Sequence, residues 1–345
     1  MIDVSLLGWT MERDAELPVG CAPGRVARVD RGRLSVLTAD GELRAHPAAA
    51  LLGGTGPAVG DWVALRGELA VAVLPRRTAF TRVVAGRTSA EQVVAANLDL
   101  VLVVDALTTA PRLRRLERYL AVAWGSGATP VVVLTKADLC EDVPAALLAV
   151  AQDTVGVDVL PVSSVTGEGL GAVRALLDPG RTAAVVGPSG VGKSSLANAL
   201  AGTEVAATRE VRAGDGRGRH ATTARELHLL PGGGLLVDTP GMRELGLVDD
   251  AGVDTTYADV TEPATACRFR DCAHRTEPGC AVTAAIDDGR LDPARLTAWR
   301  KLQAEAHRQA LRSDARARAA EHARTRASAR AVRAQPNRGR TTSSP

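Results

Sequence analysis

The sequence predicts a multidomain protein: an N-terminal β-barrel, an α/β domain built around a phosphate loop, and a C-terminal, mostly helical domain that binds zinc. Three observations predict this architecture. Short stretches of alternating polarity, separated by Gly, Asp and Pro, fill residues 24–82. Buried strands that end in polar loops follow from Leu98 onward. Three cysteines and one histidine then fall within 14 residues, at 267–280.

Length and composition limit the classes of protein that the chain can belong to. Its 345 residues are enough for two or three domains. No run of 18 apolar residues occurs, so we expect no membrane span and no membrane partner. The start MIDVSLLGWTMERD lacks the basic residues and cleavage site of a signal peptide, which predicts a cytoplasmic protein. Five cysteines, three of them clustered, favour a metal site over disulfides in such a chain.

Positive charge is distributed unevenly along the chain. The segment from Arg300 to Pro345 has 12 Lys and Arg against 3 Asp and Glu, whereas the rest of the chain is acidic. A basic tail on an acidic body predicts a polyanionic partner. The alternative is a solvated, disordered extension. The chain has only three lysines, and two of them, Lys136 and Lys193, lie within the nucleotide motifs described below.

The N-terminal part divides into an arm and a barrel. Residues 1–20 are expected to form a short helical arm, and residues 21–88 a small closed barrel of the OB-fold type. OB-folds often bind nucleic acid by stacking bases on aromatic side chains. Because only Trp62 and Phe80 are available here, base stacking by this barrel is not expected.

Residues 89–248 have the pattern of a doubly wound α/β domain. The strands LDLVLVVDAL, PVVVLTKAD, VDVLPVSS, TAAVVGPSG and GLLVDTPG all end in polar loops, and RELHLL is predicted as an antiparallel edge strand. Functional loops are expected at the carboxyl ends of such strands. Residues 249–312 are assigned to the zinc-binding domain, and residues 313–345 to a disordered basic tail.

The segment GPSGVGKSS matches the phosphate-loop pattern and lies between a predicted strand and a predicted helix. Its glycines allow backbone N–H groups to surround phosphate, and the helix N-terminus adds partial positive charge. Lys193 is expected to bridge the β- and γ-phosphates and to act in catalysis, and Ser194 to ligate Mg²⁺. A chance Gly-rich turn is the alternative, and the strand and helix on either side argue against it. The predicted phosphate contacts are Gly187, Pro188, Ser189, Gly190, Val191, Gly192, Lys193, Ser194 and Ser195.

DTPG follows the strand GLLV and supplies Asp238, which in phosphate-loop proteins holds Mg²⁺. Gly241 would offer a backbone N–H to the γ-phosphate and a hinge for the following switch. Taken alone, DTPG could be an ordinary turn. Only one other predicted strand separates the phosphate loop from the strand that ends in DTPG. This spacing favours a role in nucleotide binding.

A guanine-reading motif, TKAD, lies before the phosphate loop. Asp138 can accept two hydrogen bonds from guanine, a contact that adenine cannot offer, and Lys136 can lie over the base. Thr135 stands where Asn is usual, which predicts weaker bracing between the loops. PVSSVTGEG then supplies Ser163 and Ser164, whose backbone would contact the guanine carbonyl oxygen. The predicted guanine contacts are Thr135, Lys136, Ala137, Asp138, Ser163 and Ser164.

The motif order identifies the domain as a circularly permuted α/β P-loop GTPase, because the guanine motif normally follows the phosphate loop. Between the phosphate loop and DTPG the chain is polar and Gly-rich, which is typical of a switch loop. Thr222 is the predicted Mg²⁺-sensing threonine, with Thr223 the alternative.

A water-orienting group is also expected in this switch. Met242 follows DTPG where many GTPases place a glutamine that orients the attacking water, and an apolar side chain cannot do so. His220 is the nearest candidate for that role; a solvent-exposed or RNA-contacting histidine is the alternative.

The cluster CRFRDCAHRTEPGC predicts a closed structural zinc site. Three thiolates and one imidazole can complete a tetrahedral shell, which leaves no open position for catalysis. Coincidentally placed free cysteines are the alternative. The predicted zinc ligands are Cys267, Cys272, His274 and Cys280.

The combination resembles one family, the RsgA (YjeQ) small ribosomal subunit biogenesis GTPases. The segments that carry the resemblance are VGDWV, ANLDLVLVVDAL, TKADL, SSVTGEG, GPSGVGKSSLAN, GRHATTARELH, DTPGMRELGL and CRFRDCAHRTEPGCAV. It covers about residues 5–305 and leaves the arginine-rich extension unexplained. In this family Asn often stands at the position of Thr135, and consecutive threonines often stand at Ala221 and Thr222.

The resemblance implies three domains that dock together on the 30S subunit, contact 16S rRNA and assist late 30S maturation. It also implies that GTP hydrolysis is faster on the 30S subunit, and it places the proposed catalytic histidine in the GRH segment, which matches His220. We therefore expect a monomeric GTPase that converts GTP to GDP and phosphate with Mg²⁺ and carries one structural Zn²⁺.

Two other functions fit parts of the sequence. An RNA-binding scaffold that uses GTP as a conformational ligand, with negligible turnover, would account for Met242. A phosphate-loop kinase or ATPase of small molecules is disfavoured by Asp138. Nucleotide competition separates the kinase from the others, and turnover with and without 30S subunits separates the GTPase from the scaffold.

Overall fold

The structure is a computed structural model that describes residues 2–53, 56–83, 91–108, 112–206, 225–238 and 251–313. Within these ranges the chain forms a closed barrel, a two-stranded sheet, a six-stranded sheet flanked by helices, and a C-terminal group of helices. The predicted classes of structure are thus confirmed in the predicted order along the chain.

Five strands close the barrel in the order β1-β2-β3-β5-β4, and β1 pairs with β4. Alternate side chains such as Val26, Val36 and Val63 fill its interior, as the alternating pattern predicts. Trp62 and Phe80 are buried, so neither can stack on a base. The barrel strands are β1 (Ala22–Asp30), β2 (Arg33–Thr38), β3 (Gly41–Pro47), β4 (Trp62–Arg66) and β5 (Leu69–Val73).

Two further strands, β6 (Ala79–Val83) and β7 (Glu91–Ala96), pair with each other in a separate antiparallel sheet. In the chain they lie between the barrel and the six-stranded sheet. Strand β6 precedes, and β7 follows, the domain boundary that the sequence predicted between residues 88 and 89. The sequence did not indicate this pairing.

The N-terminal arm forms two short 3₁₀ helices, Val4–Leu7 and Met11–Glu16, rather than an α-helix. Each is too short to be stable alone, so tertiary contacts hold the arm in place. Arg13 is buried and donates a hydrogen bond of 2.9 Å to the side-chain oxygen of Asn97, just before the six-stranded sheet.

A buried arginine of the barrel reaches the six-stranded sheet. Arg25 of β1 donates hydrogen bonds to the carbonyl oxygens of Leu7 (3.0 Å) and Asn97 (2.9 Å) and to the hydroxyl of Thr182 (3.1 Å). Burial lowers the pKa of Arg25 to about 10. The arm, the barrel and the sheet therefore meet around this guanidinium.

The six-stranded sheet has the order β10-β9-β8-β11-β13-β12. All pairs are parallel except β12 with β13, which confirms the antiparallel edge strand. Parallel strands bring their carboxyl ends to one edge, where the nucleotide motifs lie. The strands are β8 (Leu100–Ala106), β9 (Thr129–Thr135), β10 (Val159–Pro161), β11 (Thr182–Val186), β12 (Glu226–Leu229) and β13 (Leu235–Asp238).

Helices cover both faces of this sheet, and side chains of β8 alternate between the two apolar cores. The helices that flank the sheet are α1 (Leu113–Gly125), α2 (Val143–Asp153), α3 (Leu170–Ala175) and α4 (Lys193–Ala201). The C-terminal helices are α5 (Ala251–Thr256), α6 (Ala258–Ala264), α7 (Ala281–Asp287) and α8 (Pro293–Ser313). Among the helices within the described ranges, none is both long and apolar enough to cross a bilayer.

Candidate nucleotide site and metal cluster

The phosphate loop connects β11 to the N-terminus of α4, as its motif requires. Gly187 has a φ of 143°, and a Cβ at this position would overlap the carbonyl oxygen of Val104 in the neighbouring strand β8. Only glycine fits, so the loop can turn directly at the end of the strand. The Lys193 ammonium donates a hydrogen bond of 2.6 Å to the carbonyl oxygen of Pro188, across the loop.

The first guanine loop contacts the phosphate loop through two side chains. The Thr135 hydroxyl hydrogen bonds the carbonyl oxygen of Val191, and it also lies 3.2 Å from the carbonyl oxygen of Asp105. Lys136 has a left-handed φ of 59°, and its ammonium donates a hydrogen bond of 3.0 Å to the carbonyl oxygen of Gly190. Threonine thus braces the two loops through its hydroxyl, although it lacks the amide of asparagine.

The second guanine loop follows β10 and is folded around Ser163. This serine is fully buried, and its hydroxyl oxygen accepts hydrogen bonds from the backbone N–H groups of Val165 (3.2 Å) and Thr166 (3.1 Å). The backbone N–H of Ala137 donates to the carbonyl oxygen of Val162 (3.1 Å), which joins the two guanine loops. Asp138 is exposed at this edge of the sheet, where a base could reach its carboxylate.

The remaining predicted contacts divide into described and undescribed residues. Ser194 lies half-buried in the first turn of α4, and Asp238 ends β13 at the same edge of the sheet. Ser164 is half-buried in the second guanine loop, and Ser189 and Ser195 are exposed. His220, Thr222 and its alternative Thr223, Gly241 and Met242 lie outside the described residues, as does the tail beyond residue 313.

The structure adds an ion pair beside this site that the sequence analysis missed. Asp105, the penultimate residue of β8, has 4% of its surface exposed, and both of its carboxylate oxygens lie 3.1 Å from Nη2 of Arg115 in α1. The available signal was an aspartate directly after five apolar residues of a buried strand. A buried carboxylate in that place requires a partner, but the sequence does not say which residue supplies it.

The four predicted zinc ligands come together in the C-terminal part. The sulfur atoms and imidazole nitrogens of Cys267, Cys272, His274 and Cys280 all lie within 4.8 Å of one another. Nδ1 of His274 is 3.5 Å from the sulfur atoms of both Cys267 and Cys280. Donor atoms at this spacing could hold a metal ion.

Local structure holds this cluster in place. Cys280 caps the N-terminus of α7, where its sulfur accepts a hydrogen bond of 3.4 Å from the backbone N–H of Thr283. Burial opposes ionisation of the Cys280 thiol, but hydrogen bonds from Thr283 and His274 outweigh it and lower its pKa to about 6. Arg300 of α8 donates to the carbonyl oxygens of Ala273 (3.0 Å) and His274 (2.6 Å). The ligand loop is therefore fixed to α8.

The phosphate loop lies at the edge of a mostly parallel sheet and contacts a guanine loop that precedes it in the chain. This arrangement defines the class of the protein. It is a P-loop GTPase in circularly permuted order, with an N-terminal barrel and a group of three cysteines and one histidine in the C-terminal helical region. Comparisons with known proteins agree with this class and identify the family.

The model of the RsgA GTPase family matches residues 73–248. The small ribosomal subunit biogenesis GTPase RsgA of Streptomyces coelicolor is 50% identical over 311 residues, covering 87% of this chain and 84% of that protein. The protein of the same name from Streptomyces avermitilis is 46% identical, covering 90% of this chain and 88% of that protein. The chain belongs to the RsgA GTPase family and is a GTP hydrolase.

Two solved structures share the fold. YjeQ from Thermotoga maritima superposes with a TM-score of 0.64 at 24% identity, covering 83% of this chain and 98% of that one. YloQ, described as a circularly permuted GTPase, superposes with a TM-score of 0.63 at 23% identity, covering 84% and 96%.

Proposed function

We propose that this protein is a ribosome-dependent GTPase that binds the 30S subunit and assists its late maturation. The observation that carries the proposal is the 50% identity, over 87% of this chain, to a protein named as a small ribosomal subunit biogenesis GTPase. The described part of the nucleotide site supports it, because its loops have the bracing that a guanine-nucleotide switch needs.

The phosphate loop and the two guanine loops hold the nucleotide. Backbone N–H groups of the loop between Gly187 and Ser195, except at Pro188, which has none, surround the phosphates, and Lys193 bridges the β- and γ-phosphates. Asp138 selects guanine by accepting two hydrogen bonds, and the loop of Ser163 and Ser164 contacts the base carbonyl. Thr135 and Lys136 hold the first guanine loop against the phosphate loop by hydrogen bonds to the carbonyl oxygens of Val191 and Gly190.

The oxygen donors at the carboxyl edge of the sheet suit Mg²⁺. Ser194 and Asp238 offer a hydroxyl and a carboxylate, which are hard ligands of the kind that Mg²⁺ prefers. Thr222, by the sequence pattern, would join them. When bound, Mg²⁺ neutralises charge on the β- and γ-phosphates.

His220 orients the attacking water in this proposal. Its place in the predicted switch, and Met242 in the position of the usual glutamine, support that role. Lys193 stabilises charge that develops on the phosphate oxygens as the bond to the leaving group breaks.

The metal cluster holds one structural Zn²⁺. Three sulfurs and one imidazole nitrogen within 4.8 Å fit a closed tetrahedral zinc shell. Such a site would order the loop 267–280 and the start of α7, and it takes no part in hydrolysis.

16S rRNA is the proposed contact within the 30S subunit. Arg268, Arg270 and Arg275 are exposed on the metal-cluster loop, beside Phe269, which is 41% exposed. Exposed arginines next to an aromatic ring suit RNA, since they can bind phosphate and stack on bases. We further propose that the protein is a cytoplasmic monomer.

Co-sedimentation with ribosomal subunits tests the binding half of the proposal. Protein loaded with a non-hydrolysable GTP analogue should pellet with 30S subunits, and protein loaded with GDP should pellet less. Equal pelleting in both states, or equal pelleting with 50S subunits, would contradict a nucleotide-controlled 30S factor, because a ligand without differential affinity shifts nothing.

A further inference from the structure

Helix α1 lies between the nucleotide site and the C-terminal helices that carry the metal cluster. Its first two turns contain three arginines and one glutamate within five residues, and each of the four has an ionic partner. The four residues are Arg114, Arg115, Glu117 and Arg118. Arg114 pairs with Glu117 within the helix, whereas the other partners belong either to the nucleotide site or to α8.

One of these partners belongs to the nucleotide site. Arg115 holds the buried carboxylate of Asp105 at the end of β8. The carbonyl oxygen of Asp105 lies 3.2 Å from the Thr135 hydroxyl, which also bonds the carbonyl oxygen of Val191 in the phosphate loop. A shift of α1 that carried Arg115 with it would therefore disturb the brace between the guanine loop and the phosphate loop.

The other partners belong to the metal-bearing helices. Glu117 is 2% exposed and accepts a hydrogen bond of 2.8 Å from Arg295 of α8. Arg118 makes two hydrogen bonds to the carboxylate of Glu305, also in α8, one of them 2.9 Å long. Arg295 in turn binds both carboxylate oxygens of Asp259 in α6, each at 2.7 Å. Helix α1 is thus fixed to two helices of the metal-bearing region.

Close packing adds a further attachment. Gly252 of α5 lies against the backbone of α1, so closely that a Cβ there would overlap the carbonyl oxygen of Ala121. Val253 of α5 and Leu120 of α1 are both fully or almost fully buried in the same apolar core. Close packing of this kind transmits strain from one helix to the other.

We infer that α1 couples the metal-bearing helices to the nucleotide site, with Arg115 as a positioning residue for the Thr135–Val191 contact. Force applied to the metal-bearing helices by a bound partner reaches the nucleotide through α1, and nucleotide binding changes partner affinity by the same factor. The route is a continuous chain of named contacts from α8 to Val191, and double-mutant cycles are the test that such a route requires.

The test uses Glu305, which is far along the chain from every nucleotide motif. Glu305→Gln breaks the pair with Arg118 and should weaken binding of a fluorescent GDP analogue by about three- to tenfold. In a protein that already carries Arg115→Gln, adding Glu305→Gln should cause no further loss of affinity for the GDP analogue. The contact between Arg115 and Asp105 that transmits the effect is already absent in that protein. Glu262→Gln removes an exposed carboxylate from α6 and is the matched control, with affinity unchanged.

Unfolding temperature is measured for every variant, so that loss of structure is not mistaken for loss of coupling. Arg118→Ala, which breaks the same pair from α1, should reproduce the effect of Glu305→Gln. Two results would overturn the inference. One is unchanged affinity for the GDP analogue in both Glu305→Gln and Arg118→Ala. The other is an equal loss of affinity from Glu305→Gln in the unaltered protein and in the Arg115→Gln variant. If the unaltered protein failed to bind the GDP analogue at all, the nucleotide-site assignment would be at fault instead.

Discussion

The hydroxyl of Thr135 hydrogen bonds the carbonyl oxygen of Val191, and this contact ties the first guanine loop directly to the phosphate loop. In the permuted chain these two loops are 56 residues apart, and the guanine loop comes first. One hydroxyl therefore joins the loop proposed to bind the base to the loop proposed to bind phosphate.

Removing that hydroxyl should weaken nucleotide binding. Thr135→Val keeps the shape of the side chain but leaves the carbonyl oxygens of Val191 and Asp105 without this donor. A hydrogen bond of this kind contributes about 1 kcal/mol, so we expect GDP and GTP affinity to fall by about fivefold. Titration with a fluorescent GDP analogue measures the change. Thr135→Ser retains the hydroxyl and should bind normally; a loss as large as that of the valine variant would show that packing, not the hydroxyl, matters.

His220→Ala should lower turnover without changing nucleotide affinity. Loss of a group that orients or deprotonates water reduces the rate by about 10² to 10⁴-fold. Single-turnover hydrolysis and analogue binding, measured on the same preparation, separate the two quantities. His46→Ala removes an exposed histidine of the barrel and serves as the control. Unchanged turnover in His220→Ala would leave its catalytic role without support.

Cys280→Ser should abolish metal binding. The cluster loses one of four ligands and also the sulfur that caps α7. Metal analysis of the purified protein should fall from about one zinc per chain to almost none, in keeping with a closed four-ligand site. Cys21→Ser, at a cysteine in the barrel region, should retain the metal. Full metal content in Cys280→Ser would remove this cysteine from the ligand set.

Arg295→Met should destabilise the fold strongly. The substitution removes the buried one of the two arginines that pair with Glu117, leaves only the exposed Arg114 beside that carboxylate, and releases Asp259. Breaking a buried ion pair from one side costs about 3–5 kcal/mol, because a charge remains in an apolar environment. Urea unfolding measures the difference. Arg308→Met, at an exposed position on the same helix, should change stability by no more than about 0.5 kcal/mol. Equal stability of the two variants would show that the buried pair contributes little.

Gly252→Ala should also be destabilising, for a steric reason. Its new Cβ would overlap the backbone of α1, and relief of the overlap costs about 1–3 kcal/mol. Gly171→Ala is the matched substitution, since Gly171 also lies in a short helix but has open space around it. Alanine favours helix, so that variant should be as stable as the parent or more so. Thermal unfolding of the two variants compares them directly, and a stable Gly252→Ala would mean that α5 can move away from α1.

Much of the architecture could be predicted because local patterns determine it. Alternating polarity identified the barrel, and continuous apolar runs identified strands buried on both faces of the sheet, such as β8. The motifs indicated the candidate phosphate-binding, guanine-binding and metal-binding segments, because each is a short segment with its own chemistry. Thr135 and Lys136 both contact the phosphate loop, and Thr135 does so through its hydroxyl.

Contacts between distant segments could not be predicted. Arg13 and Arg25 are two arginines among many in this sequence, and only the fold shows that both are buried beside Asn97. The pairs of Asp105 with Arg115 and of Arg118 with Glu305 depend on how α1 packs, which periodicity does not reveal. The arm was expected to be helical; its two helical segments are short and have 3₁₀ geometry, a detail that the sequence pattern did not indicate.

The central claim, a GTPase triggered by the small ribosomal subunit, is tested most directly by GTP hydrolysis of the zinc-loaded protein alone, with 30S subunits and with 50S subunits. We predict slow hydrolysis alone, strong stimulation by 30S subunits and none by 50S subunits. Binding of GTP without any stimulation by 30S subunits would contradict the claim and favour a scaffold that uses GTP only as a conformational ligand.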